Sequence, residues 1–394
     1  MSDRRTIRWI LPIVASLLMI ALGVGIYRWW SDSQTKAIAS ACRMAIREEE
    51  WDKALPLAEQ WVRRAPEDAT AWLSMADVAK AKGDLVATAE CLGRISPQDS
   101  RYLKSQMLRG DLILDGLGRP HDAVKVWREM LAVASDAAVP HQRLLYVYSM
   151  TLQRKKLVAQ IREAIQQKAE PPEAYGYFLA APNLLFSDAY VRLGQWLTAT
   201  PDDETLRVAQ AIFAARTNPS RGIKMFGADA IKPGDDSGVR KCLKEYPKNL
   251  ELRAFLIEQA LAENNMTAVS DSLKDLPKEA EADCRFWRYI GAKLDFQRRY
   301  PEAAEAFRSS LKIHPMDWKS HHALGAVERV LGNAEAASRH ADLGSRGKQL
   351  EREIHELPNA AQVGPELLQS LMNYAEDCGE KEIAAGLAYR LNPQ

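Results

Sequence analysis

Charge of one sign is what this chain most plainly lacks: 53 Lys and Arg face 52 Asp and Glu, a formal net charge of +1. Such a balance provides no long-range field to hold a polyanion, which argues against nucleic acid as a partner. Cysteine is also scarce. Cys42, Cys91, Cys242, Cys284 and Cys378 stand singly, without the paired spacing of a zinc site, a redox pair or a haem attachment. They read as small buried hydrophobes, and in an exported chain their odd number would leave at least one thiol unpaired. There is no nucleophile elbow, no phosphate-cradling glycine loop, no HExxH and no CxxCH. Neither a cofactor nor an enzyme is therefore expected. His314, His321, His322 and His340 are close in sequence, but no carboxylate or Cys completes a set at ligand spacing, so the reading is packing or solvated histidines rather than a metal site.

Long apolar runs are confined to one place. Trp9 to Tyr27 gives 19 consecutive uncharged residues, enough at about 1.5 Å per residue to cross a bilayer core as a helix. Trp9 stands at one end and Tyr27, Trp29 and Trp30 at the other, where interfacial aromatics are favoured. Arg4, Arg5 and Arg8 precede the run, so the positive-inside rule keeps residues 1–8 in the cytoplasm and puts everything after Trp30 outside. A cleaved signal peptide is the competing reading. The small-residue sites at Ala37 to Ala41 lie far beyond Ile26, and the same distance argues against lipidation of Cys42. A single transmembrane signal anchor over residues 9–30, in contact with the lipid bilayer, is the expectation.

Beyond the anchor the chain repeats itself. Trp287, Ile290, Gly291 and Leu294 fall at i, i+3, i+4 and i+7, and Tyr300, Ala303, Phe307 and Ser310 at i, i+3, i+7 and i+10, so each set makes one stripe of an α-helix. A shift of 34 gives His321, Leu324, Gly325 and Glu328, then Ala334, Ala337, Ala341 and Gly344. Copies beginning at 250, 284 and 318 keep that spacing, as do those at 35 and 69, and Leu193-Gly-Gln-Trp196 before Pro201 mirrors Ala58-Glu-Gln-Trp61 before Pro66. Two short amphipathic helices per period cannot bury their apolar faces alone and must stack on neighbours. Between 217 and 238 the rhythm is lost to Pro219, Gly222, Gly227, Pro233, Gly234 and Gly238, which reads as an insertion. Trp51, Trp61, Trp72, Trp127, Trp196 and Trp287 occupy repeat-equivalent places and are expected in the core.

The period, with a large residue, a Leu-Gly-like pair, then Ala, an aromatic and Pro, resembles the tetratricopeptide repeat. That resemblance implies an all-α solenoid of about nine or ten hairpins behind one transmembrane helix, divided at 35–216 and 239–394 around the insertion. It also implies a non-catalytic scaffold binding protein or peptide partners on its concave face, in the periplasm or another extracytoplasmic space. An accessory subunit of a membrane enzyme, export or envelope-assembly complex, as in cytochrome c maturation or outer-membrane biogenesis, is the alternative. Some members of the family grip a partner's C-terminal carboxylate with Asn and Lys. Here the inward polar positions expected to face a partner are Asp77, Lys80, Asp115, Ser149, Glu258, Arg288, Asp295 and Arg329, and no Asn-Lys clamp carries over.

Overall fold

The computed structural model describes residues 3–184, 186, 188–216 and 236–392, with the side chains of residues 3–18, 20, 21, 24 and 360 outside the description. The insertion expected at 217–238 thus lies outside the described residues as far as 235, and its last residues, Ser237 and Gly238, begin a helix. Contacts divide the chain into two compact units, residues 1–117 and 118–394, so the segments on both sides of 217–235 belong to one unit.

The first unit begins with one continuous helix, α1 (Asp3–Arg47), followed by α2 (Trp51–Arg64), α3 (Ala69–Ala81), α4 (Leu85–Gly93) and α5 (Tyr102–Asp111), which runs on into a π turn at Leu112–Gly116. The polar stretch Ser31 to Gln34 lies inside this helix. Those four residues contain no Gly or Pro, and Thr35 Oγ1 returns to the Ser31 carbonyl at 3.0 Å, so nothing stops the helix. The first repeat therefore takes its leading helix from the end of α1: Ala39, Cys42 and Ala45 pack with Ala54, Ala58 and Trp61 of α2 and with Ala71 and Val78 of α3. Among the described residues no helix is long and apolar enough to cross a membrane. Most of the expected span has side chains outside the description.

The second unit is built from α6 (Pro120–Val133), α7 (Ala138–Met150), α8 (Arg154–Gln166), α9 (Glu173–Ala180), α10 (Ala189–Ala199), α11 (Glu204–Arg216), α12 (Ser237–Glu245), α13 (Leu250–Ala262), α14 (Met266–Ser272), α15 (Cys284–Phe296), α16 (Tyr300–Ile313), α17 (Trp318–Val330), α18 (Ala334–Glu356), α19 (Pro365–Cys378) and α20 (Lys381–Leu391). The leading helices α13, α15 and α17 start 34 residues apart, at 250, 284 and 318, and their partners α14, α16 and α18 start at 266, 300 and 334. The fold is a TPR-like array of helical hairpins, as the resemblance implied.

Two local devices recur. Each hairpin turn places one residue in the left-handed region fourteen positions after its leading helix begins: Gly83, Leu152, Asn264, Arg298, Gly332 and Gly379, with φ from 54° to 83°. Only three of these are glycine, and L side chains are strained there. Arg298→Gly should accordingly raise stability by about 1 kcal/mol, read as a higher denaturant midpoint at constant slope.

The second device explains a puzzle of the repeat. Trp72, His141, Arg253, Trp287 and His321 all occupy the fourth residue of a leading helix, and each offers a side-chain N–H to the carbonyl six residues earlier, at Pro66, Ser135, Pro247, Glu281 and Pro315 (2.7–3.0 Å). Trp, His and Arg share an N–H donor at about the same reach, which is why they interchange. It also corrects the burial expected for the tryptophans. Trp61, Trp127 and Trp196 are fully buried, whereas Trp51, Trp72 and Trp287 are half-buried, with the last two serving as these donors.

The second unit departs from a one-dimensional solenoid, in which each repeat touches only its neighbours. Its early helices meet its late ones. Arg162 of α8 pairs with Glu380 at 2.9 Å and with Glu382 of α20, and Arg390 Nη1 donates to the Glu170 carbonyl at 2.7 Å. Gly386 of α20 lies so close to α8 and α9 that a Cβ there would stand 2.7 Å from Tyr175 Oη and 2.8 Å from Ile165. Inside this closure sits α9. Tyr175, Phe178 and Leu179 are at most 1% exposed, as suits a helix apolar on all sides.

The last carbonyls of a helix lack internal partners, and those of α9 and the turn after it are met by remote side chains. His314 Nε2 donates to Phe178 O at 2.9 Å, Arg154 Nη1 to Ala181 O, and Arg216 Nη1 to Leu184 O at 3.1 Å. Lys319 Nζ donates to Asn183 Oδ1 at 2.6 Å, and Asn183 Nδ2 to Glu351 at 3.1 Å.

Candidate partner-binding site

The eight positions expected to face a partner are distributed unevenly. Asp77, Lys80 and Asp115 in the first unit are exposed, as are Asp295 and Arg329 in the second. Ser149, Glu258 and Arg288 are corrections: Ser149 is fully buried with its hydroxyl on Tyr146 O at 2.9 Å, Arg288 is 7% exposed, and Glu258 is half-buried. The closure of the second unit is the reason, because it brings α9 and residues 181–184 against the helix faces that an open solenoid would leave to a ligand.

Those faces carry a polar network instead. Arg216 binds Glu258 at 2.8 Å, Tyr289 Oη donates to Glu258 at 2.7 Å, and Arg288 binds Asp317 at 2.6 Å. Ser320 Oγ donates to Asp317 at 2.7 Å and Cys284 O accepts from Ser310 at 2.8 Å. Arg285, 1% exposed, is shared between Glu251 and Asp283, and Arg154 reaches the same Glu251. Burial works against the Glu258 carboxylate, yet Arg216, Arg285, Arg288 and the Tyr289 hydroxyl hold its pKa down at about 2. Asp317 and Asp283 are held below the ordinary carboxylate range in the same way, against burial, chiefly by Arg288 and Arg285. Glu251, Arg285 and Lys319 stand 34 residues apart, one repeat position serving three links of this network.

The histidines separate into two environments. His314 is stacked on Phe178 at 4.8 Å, and burial lowers its pKa. His321 and His340 stack at 5.2 Å with Nδ1 to Nδ1 at 2.9 Å, while His322 is exposed. Because Pro315 O can only accept, His321 Nε2 carries the proton and its Nδ1 accepts from His340. Burial pushes His321 down to about 4, opposed by the bond to Pro315 and aided by His340, which is lowered as well. A folded-state pKa below the unfolded one makes this stability complete above about pH 6.5 and lost as pH falls towards 4. The loss for His321 is about 3 kcal/mol. A denaturant midpoint followed between pH 7 and pH 4 should fall accordingly, and His321→Trp, which keeps the N–H donor, should flatten the decline. Among the described residues no three His, Cys, Asp or Glu side chains are placed to hold a metal ion.

A cleft of about 530 Å³ opens beside α9. Gln142, Arg143 and Tyr146 of α7 form one wall, Glu173, Gly176 and Tyr177 of α9 the floor, Phe186 and Asp188 a second wall, and Ile354, His355, Leu357, Pro358, Asn359 and Ala361 the rim. Tyr177 and Phe186 meet edge to face at 6.0 Å, and Tyr146 does the same with Trp196 at 6.3 Å. Glu173 is 6% exposed; Gln142 Nε2 donates to its Oε1 at 2.6 Å, and its Oε2 has no partner. Size, aromatic lining and one polar group left unsatisfied are the attributes of a binding cleft. Periodicity could not find it, because its parts come from three regions joined only by the closure.

No protein-family model matches this chain, and no curated protein matches it. Among solved structures it is similar to the Cut9-Hcn1 hetero-tetramer of the APC/C (12% identity, 91% of this chain and 78% of that one, TM-score 0.35). It is also similar to a tetratricopeptide repeat protein from Parabacteroides merdae (13% identity, 70% and 98%, TM-score 0.29) and to yeast Tom70 (15% identity, 92% and 77%, TM-score 0.27). At these identities and scores the likeness does not extend to residue positions.

Proposed function

We propose that this protein is a non-catalytic helical-repeat scaffold, fixed to a membrane by its N-terminal helix, that holds protein or peptide partners in the cell envelope. One observation carries the anchor. Met19, Leu22, Ile26, Tyr27, Trp29 and Trp30 of α1 are all more than half exposed, from 52% to 73%, continuing the uncharged run from Trp9. So many large apolar side chains without protein cover suit lipid far better than water. Arg4, Arg5 and Arg8 favour a cytoplasmic N-terminus and a repeat region outside. The cleft beside α9 supports the binding role, since aromatic and polar side chains share its lining and a buried carboxylate oxygen beneath it lacks a partner.

The test is a C-terminal alkaline phosphatase fusion in intact bacterial cells, combined with carbonate extraction of the membranes. An active fusion retained in the carbonate-washed membrane is expected. Release by carbonate would overturn the anchor, and an inactive fusion at full expression would overturn the orientation. Crosslinking in the same cells should recover protein partners with the full-length chain and fewer with the cleft blocked.

A further inference from the structure

We propose that the cleft beside α9 recognises the basic side chain of a partner peptide, a lysine or an arginine, through the free oxygen of Glu173. This rests on the scaffold reading and adds the chemistry of its ligand. A carboxylate buried to 6% exposure with one oxygen unpartnered is costly to a folded chain unless a cation or donor arrives to satisfy it. Gln142 satisfies Oε1, and Oε2 lies without a partner just beneath the surface of the cleft that Glu173 lines.

The walls fit the same ligand. Tyr146, Tyr177 and Phe186 offer aromatic surface on which the methylene stem of Lys or Arg packs, and their ring quadrupoles attract the charge at its end. The ionisable groups lining the cleft are Glu173, Asp188, Arg143 and His355. Glu173 alone among them is buried, in the low-dielectric floor; Arg143 is half-buried in the wall, and Asp188 and His355 are exposed at the mouth, where water and salt screen them. The volume of about 530 Å³ leaves space for one long side chain and adjoining peptide backbone.

The experiment uses the full chain in detergent and saturation-transfer NMR with four probes: N-acetyl-lysine methylamide, N-acetyl-arginine methylamide, and the uncharged norleucine and citrulline counterparts. The charged probes should bind at least about tenfold more tightly than their counterparts. Glu173→Gln, which keeps the shape and the neighbour Gln142, should abolish that difference, and Asp188→Asn at the mouth should reduce it only a few-fold. Asp77→Asn in the other unit should change nothing. Equal binding of charged and uncharged probes, retention of the preference in Glu173→Gln, or no binding of any probe at millimolar concentration would each overturn the proposal. The scaffold reading is tested separately: crosslinked partners retained by Glu173→Gln would leave it standing and reject the cleft.

Discussion

Asp317→Ala should lower the stability of the second unit by about 3–5 kcal/mol, because it removes one partner of a buried ion pair and strands the other. Asp317 is 1% exposed and accepts from Arg288 at 2.6 Å and from Ser320 at 2.7 Å. Arg288, 7% exposed, has its next carboxylate, Glu258, at 4.0 Å, already engaged by Arg216 and Tyr289. Without Asp317 the guanidinium stays buried and poorly paired. The companion result separates charge from volume: in Arg288→Met with Asp317→Ala much of the loss should be recovered, since an apolar replacement of both partners is often close to neutral. Urea unfolding of the four proteins of this cycle measures the coupling directly. A single variant within about 0.5 kcal/mol of the parent would mean that the pair is solvated and the network is not a buried one.

Phe178→Ala should cost about 3–5 kcal/mol and should open the closure of the second unit. The Phe178 ring is 1% exposed, stacks on His314 at 4.8 Å and lies 5.2 Å from the Arg162 guanidinium, which also binds α20. It thus touches both the early and the late repeats. In an open solenoid the effect would stay within one repeat and its neighbours. In this unit the loss should spread. Amide hydrogen exchange should accelerate not only in α9 but in α20 and around His314, more than a hundred residues away in sequence, and by about 100-fold or more for a 3 kcal/mol change. Faster exchange confined to 173–183 would show that the closure does not depend on this ring.

The hairpins themselves were legible without coordinates. A 34-residue period of small and large positions places two helical stripes, and the helices at 250, 284 and 318 begin where that period puts them. The burial of Trp61, Trp127 and Trp196 followed from the same pattern. Local chemistry was harder to read. Leu152 and Arg298 take left-handed turn positions that sequence assigns to Gly, and His321 replaces Trp287 for the sake of an N–H that a hydropathy pattern does not register.

What the sequence determined by itself is the set of elements: uncharged run, helical pairs, their spacing and the apolar face of each, because these depend on residues within one or two turns of one another. What only the tertiary structure decided is where the second unit's inner surface goes. Segment 173–184 becomes the buried centre, its carbonyls held by Arg154, His314 and Arg216 from other repeats. That choice turned Ser149, Glu258 and Arg288 inward and created the cleft around Glu173. The reason is physical: each repeat rotates slightly on the last, and whether an array closes depends on the sum of those small rotations and on contacts between residues up to 220 apart. No local pattern carries that sum.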